Sequence, residues 1–208
     1  KQPGISNNSF GPSAGRPVIR GLQGARVSVL QNSTGSSDVS SVSPDHAVSV
    51  EPVLARSVEV LRGPSTLVYS GAIGGIVNVI DNRIPMQRID GVEGELELRQ
   101  GSVNDEAASV LAIDAGSGDL AFHIDGFFRE TNDVNIEGPA IASGLAPEFN
   151  SNGVILNTDS ETQSYTLGGT AFFDSGMLGF SVNRLENEYG IPPLSEQIDE
   201  GEFIRIDA

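Results

Sequence analysis

The sequence predicts two structures in succession: a small α+β unit over residues 1–85, then antiparallel β-strands over residues 86–208. Three observations carry this. Turn residues and short apolar runs crowd the first part. Two-residue alternation with no helical period fills the second. The two patterns meet at Arg83-Ile84-Pro85, directly after the stretch RSVEVLRGPSTLVYSGAIGGIVNVIDN that begins at Arg56.

Composition narrows the function classes. A net charge of −16 over 208 residues excludes nucleic acid as a partner on electrostatic grounds. Acidity suits cation capture and also plain solubility, and the second is the simpler reading. The absence of cysteine removes a disulfide framework and a thiolate metal site. No apolar run reaches the ~18 residues of a membrane helix, but a barrel strand needs only ~9–11 alternating residues, so a membrane location stays open. The lack of Trp counts against aromatic girdles. The sequence opens at Lys1 with no initiating Met or signal peptide, and is expected to be mature, truncated or a fragment.

The elements follow in order. Residues 1–15 are rich in Gly, Ser, Asn and Pro and are expected to be irregular. Arg16-Pro17-Val18-Ile19-Arg20-Gly21 and Arg26-Val27-Ser28-Val29-Leu30 read as short strands, the second with Val27 and Val29 on one face. Residues 31–43 read as a loop. Ser43-Pro44-Asp45 is a helix-start signal, so a short helix is expected over residues 44–50 and a second over 52–56. Strands follow at residues 58–61 and 76–80, with Val58/Val60 and Val77/Val79 able to share a face. Gly63, Gly71, Gly74 and Gly75 permit positive φ and close backbone approach between them.

These residues resemble a known family. Arg16-Pro17-Val18-Ile19-Arg20-Gly21, then Arg26-Val27-Ser28-Val29-Leu30, then Val58-Glu59-Val60-Leu61-Arg62-Gly63-Pro64 with Leu67 and Tyr69, then Gly74-Gly75-Ile76-Val77-Asn78-Val79-Ile80, look like the plug domain of TonB-dependent outer-membrane receptors. The resemblance covers residues 16–83. It is closest to the branch with Ser43-Pro44-Asp45-His46-Ala47 and Asn78-Val79-Ile80-Asp81-Asn82-Arg83-Ile84-Pro85, which includes zinc-uptake receptors. One departure is a loop between Tyr69 and Gly74 shorter than the family's by a residue or two. The resemblance implies that Arg20 and Arg62 pair with glutamates on a barrel wall, in charge-assisted bonds that hold a plug yet release under pulling. The plainer alternative is that both arginines are solvated.

From Gly91 onward the alternation is regular. Val92, Leu96 and Leu98 alternate with Glu93, Glu95, Glu97 and Arg99. Ser109, Leu111, Ile113 and Ala115 oppose Ala108, Val110, Ala112 and Asp114. Leu120, Phe122, Ile124 and Phe128 oppose Ala121, His123, Asp125, Phe127 and Arg129. Tyr165, Leu167, Ala171 and Phe173 oppose Ser164, Thr166 and Thr170. Leu178, Phe180 and Val182 oppose Ser181, Asn183 and Asn187, and a sixth strand begins near Phe203. Connections alternate too: tight turns at residues 116–119 and 174–176, long ones at 131–161 and 188–202, with a shorter one at 101–105. Short turns at one end, long loops at the other and apolar-out, polar-in strands belong to outer-membrane barrels. They would put the tight turns in the periplasm and the long loops outside. A soluble β-sandwich alternates as well, and the strands alone favour it. With the plug motifs the expected architecture is an α+β plug domain followed by strands of an incomplete transmembrane β-barrel. Plugged barrels have about 22 strands. About six are readable here, and an open sheet edge is not tolerated in lipid, so a longer parent protein is expected.

Asp45-His46 is the sharpest local constellation for chemistry. A neutral imidazole beside a carboxylate suits zinc, but two adjacent residues leave a tetrahedral site incomplete. In the resembled zinc receptors this position faces the external cavity, where barrel residues would complete the site. The alternative is a capping Asp45 and a packing His46. His123 and Asp125 share the inward parity and read as structural. No Ser-His-Asp order, phosphate loop or dinucleotide glycine motif is present, so an enzyme is not expected and no resident cofactor is required. The resemblance implies a receptor in the outer membrane of a Gram-negative bacterium, in contact with lipid and with the TonB energy-coupling complex, which pulls through an N-terminal box that this sequence does not contain. It implies uptake of a scarce metal or metal complex, zinc first and a ferric siderophore or haem second. The rivals are a non-transporting surface binding module and a soluble β-rich enzyme domain.

Overall fold

Contacts divide the chain between Asp81 and Asn82 into a first unit, Lys1–Asp81, and a second, Asn82–Ala208. The computed structural model describes residues 3–35, 39–48, 50, 52–69, 72–141, 151–192 and 204–207.

The first unit holds β1 (Ile5–Ser9), β2 (Gly15–Ile19), β3 (Val27–Gln31), β4 (Thr34–Gly35), β5 (Ser57–Leu61) and β6 (Gly75–Ile80). β1 and β2 form a hairpin, with Ile5 opposite Ile19. The other four make a mixed sheet in the order β4-β3-β6-β5. β3 runs parallel to β6 and β5 antiparallel to it, with Val58 opposite Val79 and Val60 opposite Val77. The main apolar cluster lies on the other face of β6: Leu30, Ala72 and Ile76, flanked by Leu61 and Tyr69. Asn78 is buried on that side and satisfied, accepting from the Ser33 N–H at 2.8 Å.

Three expectations are corrected. Residues 5–9, expected to be irregular, form β1, because β2 offers them a free strand edge. The expected helix over 44–50 is absent at residues 44–48, which form turns. Among the described residues the helical turns of this unit are 3-10: Gly24–Arg26, Val39–Ser41, Pro52–Leu54 and Gly63–Val68. A seven-residue helix does not repay its nucleation cost. The Ser43 and Asp45 side chains also bond each other instead of leaving the backbone to propagate. The α+β description therefore gives way to short strands joined by 3-10 turns.

The second unit is built on a six-stranded antiparallel sheet. Its strands are β7 (Gly91–Gln100), β8 (Ala107–Ser117), β9 (Leu120–Thr131), β12 (Ser160–Phe173), β13 (Gly176–Gly190) and β14 (Arg205–Asp207), in the order β14-β13-β12-β9-β8-β7. Two-residue turns join β8 to β9 at Gly118-Asp119 and β12 to β13 at Asp174-Ser175. Gly118 takes the positive φ of 59° that such a turn demands. Residues 131–161, expected to be one long loop, carry a further hairpin of β10 (Val134–Pro139) and β11 (Asn152–Ile155). Asp133 fixes its base by accepting from the Thr158 and Asp159 N–H groups at 2.7 and 3.2 Å.

The two faces of this sheet are inverted relative to a water-soluble protein. On β12 and β13 the exposed side chains include Tyr165, Leu167, Phe173, Leu178, Phe180 and Val182, and the buried ones include Ser160, Thr162, Ser164, Thr166 and Thr170 beside Phe172 and Tyr189. Leu178 is 70% exposed and Thr166 is 3% exposed. Burying hydroxyls while exposing leucine and phenylalanine is costly in water. Four of these hydroxyls have side-chain partners: Thr131 and Ser160 bond at 2.9 Å, Thr162 donates to Asn187 Oδ1 at 2.9 Å, and Asn183 Nδ2 donates to Ser164 and Thr166 at 3.1 and 3.0 Å.

Candidate functional site

Asp45 and His46 lie in the turn after Val39–Ser41. The His46 Nδ1 is 3.1 Å from Asp45 Oδ1, and the Ser43 hydroxyl donates to the same oxygen. The Ser43 hydrogen bond holds the Asp45 carboxyl below its ordinary value; partial burial opposes the shift and His46 adds to it. The pair is partly open, with His46 32% and Asp45 28% exposed at the side chain. Among the described residues no group of three or more His, Cys, Asp or Glu is arranged to hold a metal. The pair can present one imidazole and one carboxylate to a cation, and a complete coordination sphere would need further donors.

The arginines converge on one short stretch. Arg20 is exposed at a φ of 51°, and its backbone N–H donates to Gly4 O at 2.8 Å. Arg62 precedes the Gly63–Val68 turn, and its Nη1 donates to Pro3 O at 3.3 Å. Both therefore meet residues 3–4.

Of the four glycines, Gly74 and Gly75 answer to close approach. A Cβ on Gly74 would stand 2.8 Å from Arg26 O, and one on Gly75 would stand 2.6 Å from Ile19 Cδ1. This lets β2 press its buried Ile19 onto β6. Gly63 has a φ of 71° and opens a 3-10 turn. Gly71 lies outside the described residues.

A second constellation was visible only in part from sequence. On the polar face of the sheet, His123 Nδ1 lies 2.8 Å from Asp114 Oδ1 and His123 Nε2 lies 2.8 Å from Asp125 Oδ2. His123 and Asp125 are both buried. Asn82 Nδ2 donates to Asp114 Oδ1 at 2.7 Å, extending the chain of contacts to the segment that enters the sheet. The inward parity of His123 and Asp125 was readable; Asp114 was missed as their partner. The signal was present, because a two-residue turn at Gly118-Asp119 sets Asp114 directly opposite His123. The glutamates that alternate along β7 have separate fates. Glu93 and Glu95 are exposed, and Glu97 accepts from Arg99 Nη2 at 2.6 Å.

A sheet with an apolar exposed face and a polar face carrying hydrogen bonds has the alternation found in strands of membrane barrels. Residues 1–76 match the family model of the TonB-dependent Receptor Plug Domain. The fold is shared with solved structures of two transporters and an outer membrane receptor. Against the FrpB iron transporter from Neisseria meningitidis (F3-3 variant) the TM-score is 0.66 at 12% identity, over 91% of this chain and 28% of that one. Against the copper transporter OprC it is 0.70 at 18% identity, over 90% and 27%. Against the pyoverdine outer membrane receptor FpvA from Pseudomonas aeruginosa PAO1 it is 0.62 at 16% identity, over 90% and 24%. The chain thus spans about a quarter of the length of each.

Proposed function

We propose that the chain is the plug domain and first wall strands of a TonB-dependent receptor in the outer membrane of a Gram-negative bacterium. Its work is energy-coupled uptake of a metal ion or metal complex. The observation that carries this reading is the inverted sheet following a unit that matches the plug family. In this reading the apolar face contacts lipid, and the two-residue turns lie in the periplasm. The connections at 131–161 and 188–202 meet the ligand. Arg20 and Arg62 are latches that pair with wall glutamates and release when the TonB complex pulls.

Zinc is the first cargo in this proposal, through contact with Asp45 and His46 and with donors from the wall. A ferric siderophore, haem or a copper species is the second, supported by the shared fold with proteins named for iron, copper and pyoverdine. The full-length protein should sediment with the outer membrane, and a soluble product sinks the barrel reading. Zinc titration of that protein, wild type against Asp45→Ala/His46→Ala, separates the cargoes: a loss of affinity of tenfold or more supports zinc, and unchanged affinity removes zinc from this site.

A further inference from the structure

The segment that joins the two units, residues 82–90, has no regular secondary structure, yet it is fitted to the sheet residue by residue. Asn82 donates to Asp114, whose carboxylate is in turn held by His123. The Arg83 carbonyl passes so close to Gly168 that a Cβ there would stand 1.6 Å from its oxygen. The Ile84 side chain passes Gly179, where a Cβ would stand 2.4 Å from Ile84 Cγ2. Pro85 is fully buried. Arg88 donates to Asp119 at 3.0 Å and lies 5.1 Å from the centre of the Phe172 ring. The Ile89 carbonyl passes Gly116, where a Cβ would stand 2.6 Å from it.

Three glycines on three strands, Gly116 on β8, Gly168 on β12 and Gly179 on β13, thus form a slot cut to the path of one segment. Glycine in a strand interior weakens the strand and marks close approach of another backbone. Here that other backbone is the chain's own.

We propose that residues 82–90 are a strap belonging to the wall, and that the slot is a mechanical stop. Tension applied to the first unit is taken up before Asn82, so that unit can be drawn out while the strap stays seated. The inference rests on the receptor reading, because it presumes a wall held in a membrane and a pulled N-terminal unit. Its physical basis is directional. Pulling along the chain loads the Asn82–Asp114 bond and then the sterically keyed carbonyl of Arg83. A keyed backbone cannot slide without lifting out of its slot.

The test is single-molecule extension of the full-length protein seated in a lipid bilayer, pulled from its N-terminal side. The expected result is a separate, stronger rupture after the first unit has been released. It should be followed by an added length of roughly 30 Å as residues 82–90 come free, at about 3.3–3.6 Å per residue. Asn82→Ala should lower that rupture force. Ile84→Cys/Gly179→Cys, in which the new side chain replaces the atom that Gly179 avoids, should abolish the added length when oxidised and restore it on reduction. Release through residue 90 in one step, in the wild type, overturns the strap. A protein that does not seat in the bilayer overturns the receptor reading, and the strap with it.

Discussion

Asp81 and Asn82 are consecutive, and their side chains bond in opposite directions. Asp81 accepts from Gln31 Nε2 at 2.9 Å and Asn32 Nδ2 at 2.7 Å, at the end of β3 in the first unit. Asn82 donates to Asp114 on β8 in the second. One peptide bond therefore separates two independent sets of anchors. Asp81→Ala should destabilise the first unit by about 1–2 kcal/mol, the cost of unpairing two donors on a partly buried carboxylate. Amide exchange should rise at Gln31 and Asn32 and stay unchanged in β12. Equal protection loss in both units would contradict the division.

Gly75→Val should be among the most damaging changes in the first unit. The position has a φ of 149° and no room, since Ile19 Cδ1 and Leu61 O crowd it at 2.6 and 3.1 Å. Overpacking of this kind typically costs about 1–3 kcal/mol, and backbone strain adds to it. Limited proteolysis is the readout, with earlier cleavage expected in the β1–β2 hairpin.

Asp45 sets a pH dependence with a defined sign. Its carboxyl is lowered in the folded state, mainly by Ser43, so the contribution is present above the ordinary value of 3.8 and is lost as pH falls through the folded value. Neutral pH and mild acid should leave the turn intact. Ser43→Ala should move the Asp45 titration upward, as followed by carboxyl-carbon NMR. An unmoved titration would assign the shift to another cause.

His123→Ala leaves Asp114 and Asp125 without their shared partner on a buried face. Removing one member of a buried charged cluster typically costs about 3–5 kcal/mol. Denaturant unfolding in detergent or lipid should show that loss, with Asn82 losing order as Asp114 is freed. A near-neutral variant would show that the cluster is not what holds the two strands in register.

Leu167→Arg tests the exposed face. Leu167 lies mid-strand opposite Val182, and both are exposed. If this face meets lipid, a mid-strand arginine should cost about 2–4 kcal/mol and reduce the membrane-seated fraction. In a soluble sandwich an exposed arginine would be harmless or helpful.

Much of the second unit was legible because its rules are local. Alternation assigns each side chain to a face, and a two-residue turn fixes the pairing beyond it, as with Asp114 and His123. Of the sixth strand, expected to begin near Phe203, the described part is β14, Arg205–Asp207. What the sequence hid depends on distant partners. Residues 5–9 look irregular until β2 gives them a strand to pair with. The helix signal at Ser43-Pro44-Asp45 is sound locally, but those side chains satisfy each other. Nothing in the alternation announces Gly168 and Gly179, and the path of residues 83–84 explains them. The Asp45-His46 pair was visible, while the donors that would complete a metal site were not.

The two-residue turns have a consequence for how such a sheet can diversify. Gly118-Asp119 and Asp174-Ser175 are already at the shortest length that reverses a strand, and Gly118 needs its positive φ. An inserted residue there would shift the pairing beyond it and turn polar side chains toward the apolar side. The opposite rim carries no such restriction: the stretch between β9 and β12 has already accommodated a whole extra hairpin without disturbing the register of either strand. New length, and with it new surface chemistry, can therefore accumulate at one rim of the sheet while the other stays nearly invariant.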